Sequence, residues 1–324
     1  MKRWLALLVV LASAVAAIIV AQRRKAEAPV GAQAVLSAIA DSERGATRIP
    51  ARLTRMPDED EIRYGNEMAG RWHARTSVDA AVEAYVSRVG SRLGAFAHRK
   101  LPYRFHYIGD AGFINAFAVP GGHVFIGAGL LSFMDSEDEL ASVLAHEIEH
   151  IDHYHAAERL QTRVTLQKLP AGGALAAIPI ELFQAGYAKE QESEADVDGV
   201  NLLWLAGYAP VGALRMFEKF EKYGPATPTR KAASPAGEVL HIAGDLLAGY
   251  FRSHPLARER EQAIRALIND KGWPARAERS LELDCSAGRE QLSTLRRRSR
   301  PANPQKPAPP PCVVPGMLRR DTGR

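Results

Sequence analysis

The stretch from Leu140 to His155, LASVLAHEIEHIDHYH, concentrates residue types that could bind a metal ion: four histidines and two glutamates in sixteen positions. His146 and His150 are four residues apart, so on a helix both imidazoles lie on one face and can reach the same ion. Glu147 projects beside them, close enough to bind a metal-held water. Two interpretations stay open at this point: a zinc site, and a polar helix that is merely rich in histidine.

A third metal ligand must come from another part of the chain, because a catalytic zinc has three protein ligands and an open fourth position. The segment EQESEADVDG, residues 190–199, places Glu192 and Asp196 four apart on one face of a predicted helix. This spacing lets Glu192 bind the ion while Asp196 hydrogen-bonds the outer nitrogen of a ligating histidine. Glu194 lies about 200° around the helix from Glu192 and is predicted to point elsewhere. A solvated acidic helix face is the alternative.

His153 and His155 are rival ligands, because His153 is also about one helical turn from His150. A structural or storage metal would use such a cluster of histidines. That use would require no carboxylate at Glu147 and would leave the acidic pair downstream unexplained. His153 is therefore predicted to lie at the surface, and His155 to support the site or to pack.

The elements that must position these residues follow from capping, periodicity and turn residues. Ser136 begins the sequence SEDE with Glu139 three positions on, a capping box that predicts a helix through about residue 159. The other predicted elements are helices over 58–73, 78–96 and 188–205, one from 210 and one after 253–255, and strands over 103–108, 113–119 and 123–127. The expected fold is α+β, mainly helical, with a small β-sheet beside the histidine helix.

Charge divides the chain of 324 residues, 46 % of them apolar, into an acidic body and two basic ends. Residues 1–25 carry five Lys/Arg and no acid, residues 271–324 carry twelve against five acids, and residues 26–270 carry 25 against 32. A nucleic-acid-binding core would show a basic face on the folded part, so no nucleic-acid partner is expected.

The chain ends differ from the body in composition. Two bases precede an uncharged run from Trp4 to Gln22 and three follow it, which predicts a signal peptide or membrane anchor over residues 1–25. The apolar run continues beyond the small residues at 12–16, which favours an uncleaved anchor. A linker over 26–55, a folded domain over 56–270 and an Arg/Pro-rich tail over 271–324 complete the prediction. Cys285 and Cys312 form either a disulfide or two unrelated free thiols.

Four segments resemble peptidase family M48, the zinc metallopeptidases, over about residues 58–270: NAFAVPGGHVFIGAGLL (115–131), LASVLAHEIEH (140–150), ESEADVDG (192–199) and HPLARER (254–260). The single apolar run resembles the periplasmic, single-anchor Oma1-like and BepA-like branch, although no tetratricopeptide repeats follow. Glu149 departs from the small residue common there and adds a negative charge beside the metal helix.

The resemblance implies a zincin-like (gluzincin) metallopeptidase fold and a zinc endopeptidase with one Zn²⁺ per chain. The implied metal ligands are His146, His150 and Glu192. The implied catalytic residues are Glu147 as general base, Asp196, and His254 or Arg260 at the oxyanion, with a fourth zinc ligand as the alternative role of His254. The implied substrate-binding residues, along a strand edge, are Asn115, Ala116, Phe117, Gly121 and Gly122.

The implied substrates are polypeptides, in particular misfolded or unassembled envelope proteins. The implied location is the bacterial inner membrane, with the catalytic domain in the periplasm, or a secreted periplasmic form if the N-terminal segment is cleaved. A catalytically weak, chaperone-like or scaffold member of the same fold is the alternative.

Overall fold

The computed structural model describes residues 55–73, 79–167, 187–223, 254, 258–285 and 312–315. All of them belong to one unit, Arg55–Arg324. The predicted N-terminal anchor and nearly all of the predicted linker lie outside the described residues, as does most of the predicted tail. None of the described helices is long and apolar enough to cross a membrane.

The fold is mainly helical with a small mixed sheet, as predicted. In chain order the described elements are α1 (Asp58–His73), α2 (Ala80–Gly94), β1 (Arg104–Ile108), β2 (Ala116–Val119), β3 (His123–Gly127), α3 (Ala128–Leu131), α4 (Glu137–Asp152), α5 (His155–Gln167), α6 (Lys189–Leu205), α7 (Val211–Tyr223) and α8 (Arg258–Lys271).

Helix α4 carries the histidine motif at the centre of the fold, and every one of its residues is buried. Ser136 caps it, because its side chain accepts a hydrogen bond from the backbone N–H of Glu139 at 3.2 Å. The other half of the predicted capping box is displaced by one residue: Glu139 accepts from the N–H of Asp135 at 2.6 Å, and from Lys219 of α7 at 2.6 Å. The start of the helix is therefore tied to a neighbouring helix.

The single helix predicted to continue to about residue 159 is wrong. Helix α4 ends at Asp152, Tyr154 follows with φ of 64°, and α5 begins at His155. This left-handed conformation costs a non-glycine residue about 1–2 kcal/mol. The Tyr154 ring is held by the guanidinium groups of Arg55 and Arg99, 3.7 and 3.8 Å from its centroid. These cation–π contacts stabilise the break, which turns His155 back towards the histidine motif.

The three strands pair in the order β1-β3-β2, with β1 parallel and β2 antiparallel to β3. Strand β2 is thus an edge strand, and it packs against α4. The turn between β2 and β3 requires glycine, because Gly121 and Gly122 have φ of 80° and 98°. A Cβ on Gly121 would lie 2.8 Å from the Cα of Ile62 in α1. The backbone conformation of the turn therefore favours glycine at both positions, and the close contact with α1 also favours it at Gly121.

Helix α6 packs along α4 more extensively than any other described pair of elements. Gly199 faces the backbone of α4, and a Cβ added to it would be 3.3 Å from the backbone nitrogen of His146. The missing side chain lets the acidic turns of α6 lie directly beside the histidines of α4.

The segment after α8 also packs on the body. The Trp273 ring stacks on Trp204 of α6, with centroids 4.9 Å apart. Cys285 and Cys312 are joined as a buried disulfide, which selects the first of the two alternatives for these cysteines.

Candidate metal centre

Four side chains from three parts of the chain converge on one point. The Nε2 atoms of His146 and His150 are 3.1 Å apart. The two carboxylate oxygens of Glu192 lie 3.5 and 3.6 Å from them. Nδ1 of His254 lies 3.1 Å from Nε2 of His146 and 3.2 Å from Oε1 of Glu192. All four residues are buried, and their potential ligand atoms lie within 4.8 Å of one another.

The residues of this group fit a metal ion. Bonds of about 2.0–2.2 Å place the donors of a tetrahedral site roughly 3.4 Å apart, close to the separations of 3.1–3.6 Å seen here. Glu147 is fully buried beside them. Neither of its oxygens accepts a hydrogen bond of good geometry from a described residue, although Oε1 is 3.2 Å from Nε2 of His254. A carboxylate so buried is costly unless it faces a cation or a water.

Asp196 contacts the outer nitrogen of the first histidine, as its helical spacing from Glu192 predicts. Its Oδ1 lies 3.0 Å from Nδ1 of His146. Arg260 donates two hydrogen bonds to the Asp196 carboxylate, at 2.6 and 2.8 Å, and its Nη1 lies 2.8 Å from Glu192. Arg260 thus contacts both carboxylates, and its predicted contact with the oxyanion stays a prediction.

His155 contacts the outer nitrogen of the second histidine, His150, as Asp196 does for His146. Its Nδ1 lies 3.0 Å from Nδ1 of His150, and its Nε2 lies 3.1 Å from Glu194. Glu194 thus points away from the converging group, in the direction expected from the helical angle. His153 lies outside the four-residue group and has a third of its side chain exposed.

Tyr187 is a neighbour of the site that sequence reasoning missed. Its ring stacks on the imidazole of His150, with centroids 3.7 Å apart and planes 13° apart. The guanidinium of Arg159 lies 3.4 Å from the centroid of Tyr187. Spacing within the histidine motif could not reveal this pair, and the only cue is an aromatic residue just before α6.

The comparisons with known proteins agree with this geometry. Peptidase family M48 matches residues 80–268, more than half of the chain.

The chain belongs to peptidase family M48.

Members of this family are metal-dependent peptidases. The beta-barrel assembly-enhancing protease of Yersinia pestis is 28% identical over 206 residues, covering 56% of this chain and 42% of that protein. Its namesake in Escherichia coli (strain K12) is 32% identical over 161 residues, 44% and 33% of the two chains. The mitochondrial metalloendopeptidase OMA1 of Schizosaccharomyces pombe is 32% identical over 168 residues, 49% and 48%. The chain thus spans less than half the length of these relatives.

Burial and charge together set the protonation of the group. Burial lowers the pKa of His146, but hydrogen bonds to Asp196 and Glu192 outweigh it and raise this pKa to about 10. Burial raises the pKa of Glu192, but His254 and Arg260 hold it well below its usual range. Burial and the charge of His146 lower the pKa of His150. Because imidazole binds metals in its neutral form, metal binding must displace the proton of His146.

Of the predicted substrate-binding residues, Asn115 precedes the edge strand β2, Ala116 and Phe117 lie on it, and Gly121 and Gly122 lie in the turn that follows it. The side chains of Asn115, Ala116 and Phe117 are buried. Any contact that these residues make with an extended peptide would run through the backbone of β2. Their role in substrate binding, and that of Gly121 and Gly122, stays a prediction.

We expect Asp196→Asn to weaken metal binding by about 10–100-fold, because the amide loses the charge that orients His146 and its bidentate pair with Arg260. Competition with a chromophoric chelator measures this affinity. The control is Glu190→Gln, an exposed acid on the same helix. Equal affinities of the two variants would contradict the positioning role of Asp196.

Proposed function

We propose that this chain is a zinc-dependent endopeptidase. The observation that carries the proposal is the convergence of His146, His150 and Glu192 around one point with Glu147 buried beside them. Imidazole nitrogens with a carboxylate oxygen are a donor set that suits Zn²⁺. Membership of a peptidase family supports peptide hydrolysis as the reaction.

The chain's own residues have distinct tasks in this reaction. A zinc ion at the centre would supply Lewis-acid chemistry, polarising the scissile carbonyl and acidifying the attacking water. Glu147 accepts the water proton and passes it to the leaving amine. Asp196 orients His146, and Arg260 holds the Asp196 and Glu192 carboxylates in place. An extended substrate pairs with the backbone edge of β2, a mode that suits broad sequence tolerance.

We expect Glu147→Gln to keep the metal and to lower cleavage of an unfolded polypeptide by about 10²–10⁴-fold, because glutamine matches the shape but cannot accept the proton. Release of labelled peptides measures cleavage, with Glu190→Gln as the control. Activity within about tenfold of the wild type would refute the assigned role.

The alternative function is a chaperone-like or scaffold member that binds unfolded chains without cutting them. The same variant separates the two functions. If Glu147→Gln lowers the level of a candidate substrate as well as the wild type does, proteolysis is not the function.

His254 is proposed as a fourth ligand that keeps the centre latent. Its Nδ1 lies among the ligand atoms, and its Nε2 is 3.2 Å from the Glu147 carboxylate that must receive the water proton. Both the open coordination position and the base would thus be engaged until a substrate displaces this imidazole.

On this proposal, His254→Ala raises basal cleavage of an unstructured peptide, because the fourth position and Glu147 are released together. His98→Ala is the control, since the side chain of His98 is 91% exposed. A slower His254→Ala enzyme would instead support a contact with the oxyanion. Cleavage at the wild-type rate would contradict both roles.

The proposed substrates are misfolded or unassembled envelope proteins, met by a catalytic domain that faces the periplasm from an inner-membrane anchor over residues 1–25. Three observations support this proposal: the uncharged run from Trp4 to Gln22, the buried disulfide, which is typical of oxidising compartments, and the similarity to two beta-barrel assembly-enhancing proteases. The alternative is a cleaved, secreted periplasmic form.

We expect the protein to resist alkaline carbonate extraction, because an uncleaved apolar run stays in the bilayer. A reporter fused after residue 30 should be active only in the periplasm. Recovery of a shortened soluble form would show cleavage, and a cytoplasmic reporter signal would contradict the proposed topology.

A further inference from the structure

A second group of potential metal ligands lies beyond the candidate centre. Glu149 belongs to α4, His153 caps the C-terminus of that helix, and Asp198 belongs to α6. Nε2 of His153 lies 2.9 Å from Oδ2 of Asp198 and 3.5 Å from Oε2 of Glu149. The potential ligand atoms of the three residues lie within 4.8 Å of one another. The proposed hydrolysis uses none of these side chains.

The buried carboxyl group of Glu149 supplies an independent observation that points to a ligand at this site. The residue is 2% exposed, and its Oε2 accepts no hydrogen bond from any residue that the structure describes. The separation of 3.5 Å from Nε2 of His153 is longer than a hydrogen bond of normal strength. A buried carboxylate oxygen with no donor is unfavourable unless the group is protonated or a positive charge lies beside it. This oxygen lies beside the potential ligand atoms of His153 and Asp198.

We propose that Glu149, His153 and Asp198 form an auxiliary site for a divalent first-row metal ion such as Zn²⁺. One imidazole and two carboxylates are a suitable donor set, and water can complete the coordination. The separations of 2.9 and 3.5 Å bracket the spacing in a tetrahedral site, which is roughly 3.4 Å. His153 and Asp198 are only half-buried, so an ion can enter from solvent.

An ion in the auxiliary site would link α4 to α6, the two helices that supply most of the candidate centre. The His153 ring also stacks on His155, with centroids 5.5 Å apart and planes 16° apart. His155 in turn contacts the outer nitrogen of His150. The auxiliary ion would therefore stabilise the packing of the two helices and fix the orientation of His155. The proposal does not depend on peptidase activity.

Titration of the metal-free, full-length protein with Zn²⁺, and separately with Co²⁺, tests the auxiliary site. We expect two equivalents per chain. Glu149→Gln and Asp198→Asn should each weaken only one of them, by about tenfold or more. His146→Ala should remove the other equivalent and leave the auxiliary one. Glu190→Gln is the control, because Glu190 is an exposed acid on the same helix as Asp198. This variant should bind both equivalents as the wild type does.

Thermal unfolding gives a second readout, because a ligand that binds only the folded state raises the unfolding temperature. The second equivalent of Zn²⁺ should raise this temperature in the wild type and in Glu147→Gln, but not in Asp198→Asn. Asp198 is partly exposed, so this variant is expected to fold even if Glu149→Gln does not. Binding of a single equivalent by the wild type, or a second equivalent that Asp198→Asn retains, would overturn the proposal.

Discussion

The packing of α6 on α4 at Gly199 is the contact on which the candidate centre depends. Helix α4 carries two histidines on one face, and neither can complete a metal site alone. Helix α6 brings Glu192 and Asp196 to them, because no side chain separates the two backbones near His146. A larger residue at this crossing would move the carboxylates away from the imidazoles. The packing of the two helices and the assembly of the candidate metal centre therefore both depend on the contact of α6 with α4 at Gly199.

Charge compensation makes this buried arrangement possible. Glu192 and Asp196 are almost wholly buried, and Arg260 contacts both carboxylates. An uncompensated charge at this depth would destabilise the protein by several kcal/mol. The pKa of His146 is raised by the same carboxylates, so the group holds a proton where a metal ion would bind. A bound metal ion would compensate the negative charge of these carboxylates in place of that proton.

The sequence predicts those parts of the site that local periodicity controls. Spacing of four residues on a helix places His146 with His150, and Glu192 with Asp196, and the structure brings both pairs together. The break after α4 could not be predicted in this way, because it depends on Arg55 and Arg99, which are distant in sequence and pack on the Tyr154 ring.

Tertiary packing also determines the contacts of residues that a sequence motif can identify but cannot place. Arg260 belongs to a recognisable segment, but its bidentate pair with Asp196 appears only when α8 lies against α6. The stacking of Tyr187 on His150 cannot be inferred from the spacing of residues within the histidine motif. The sequence predicts a strand over 113–119, of which only Ala116–Val119 form β2, and the burial of Phe117 follows from its aromatic neighbours, such as Phe125 at 4.9 Å.

The central claim is that α6 completes the metal centre through one face only. Metal affinity of Glu192→Gln against that of Glu194→Gln tests it most directly, since the two substitutions are chemically identical and lie two residues apart. Glu192→Gln removes a proposed ligand and should lose nearly all specific binding. Glu194→Gln removes only the outer partner of His155 and should cost about 10–100-fold at most. Equal losses, or a greater loss for Glu194→Gln, would contradict the account.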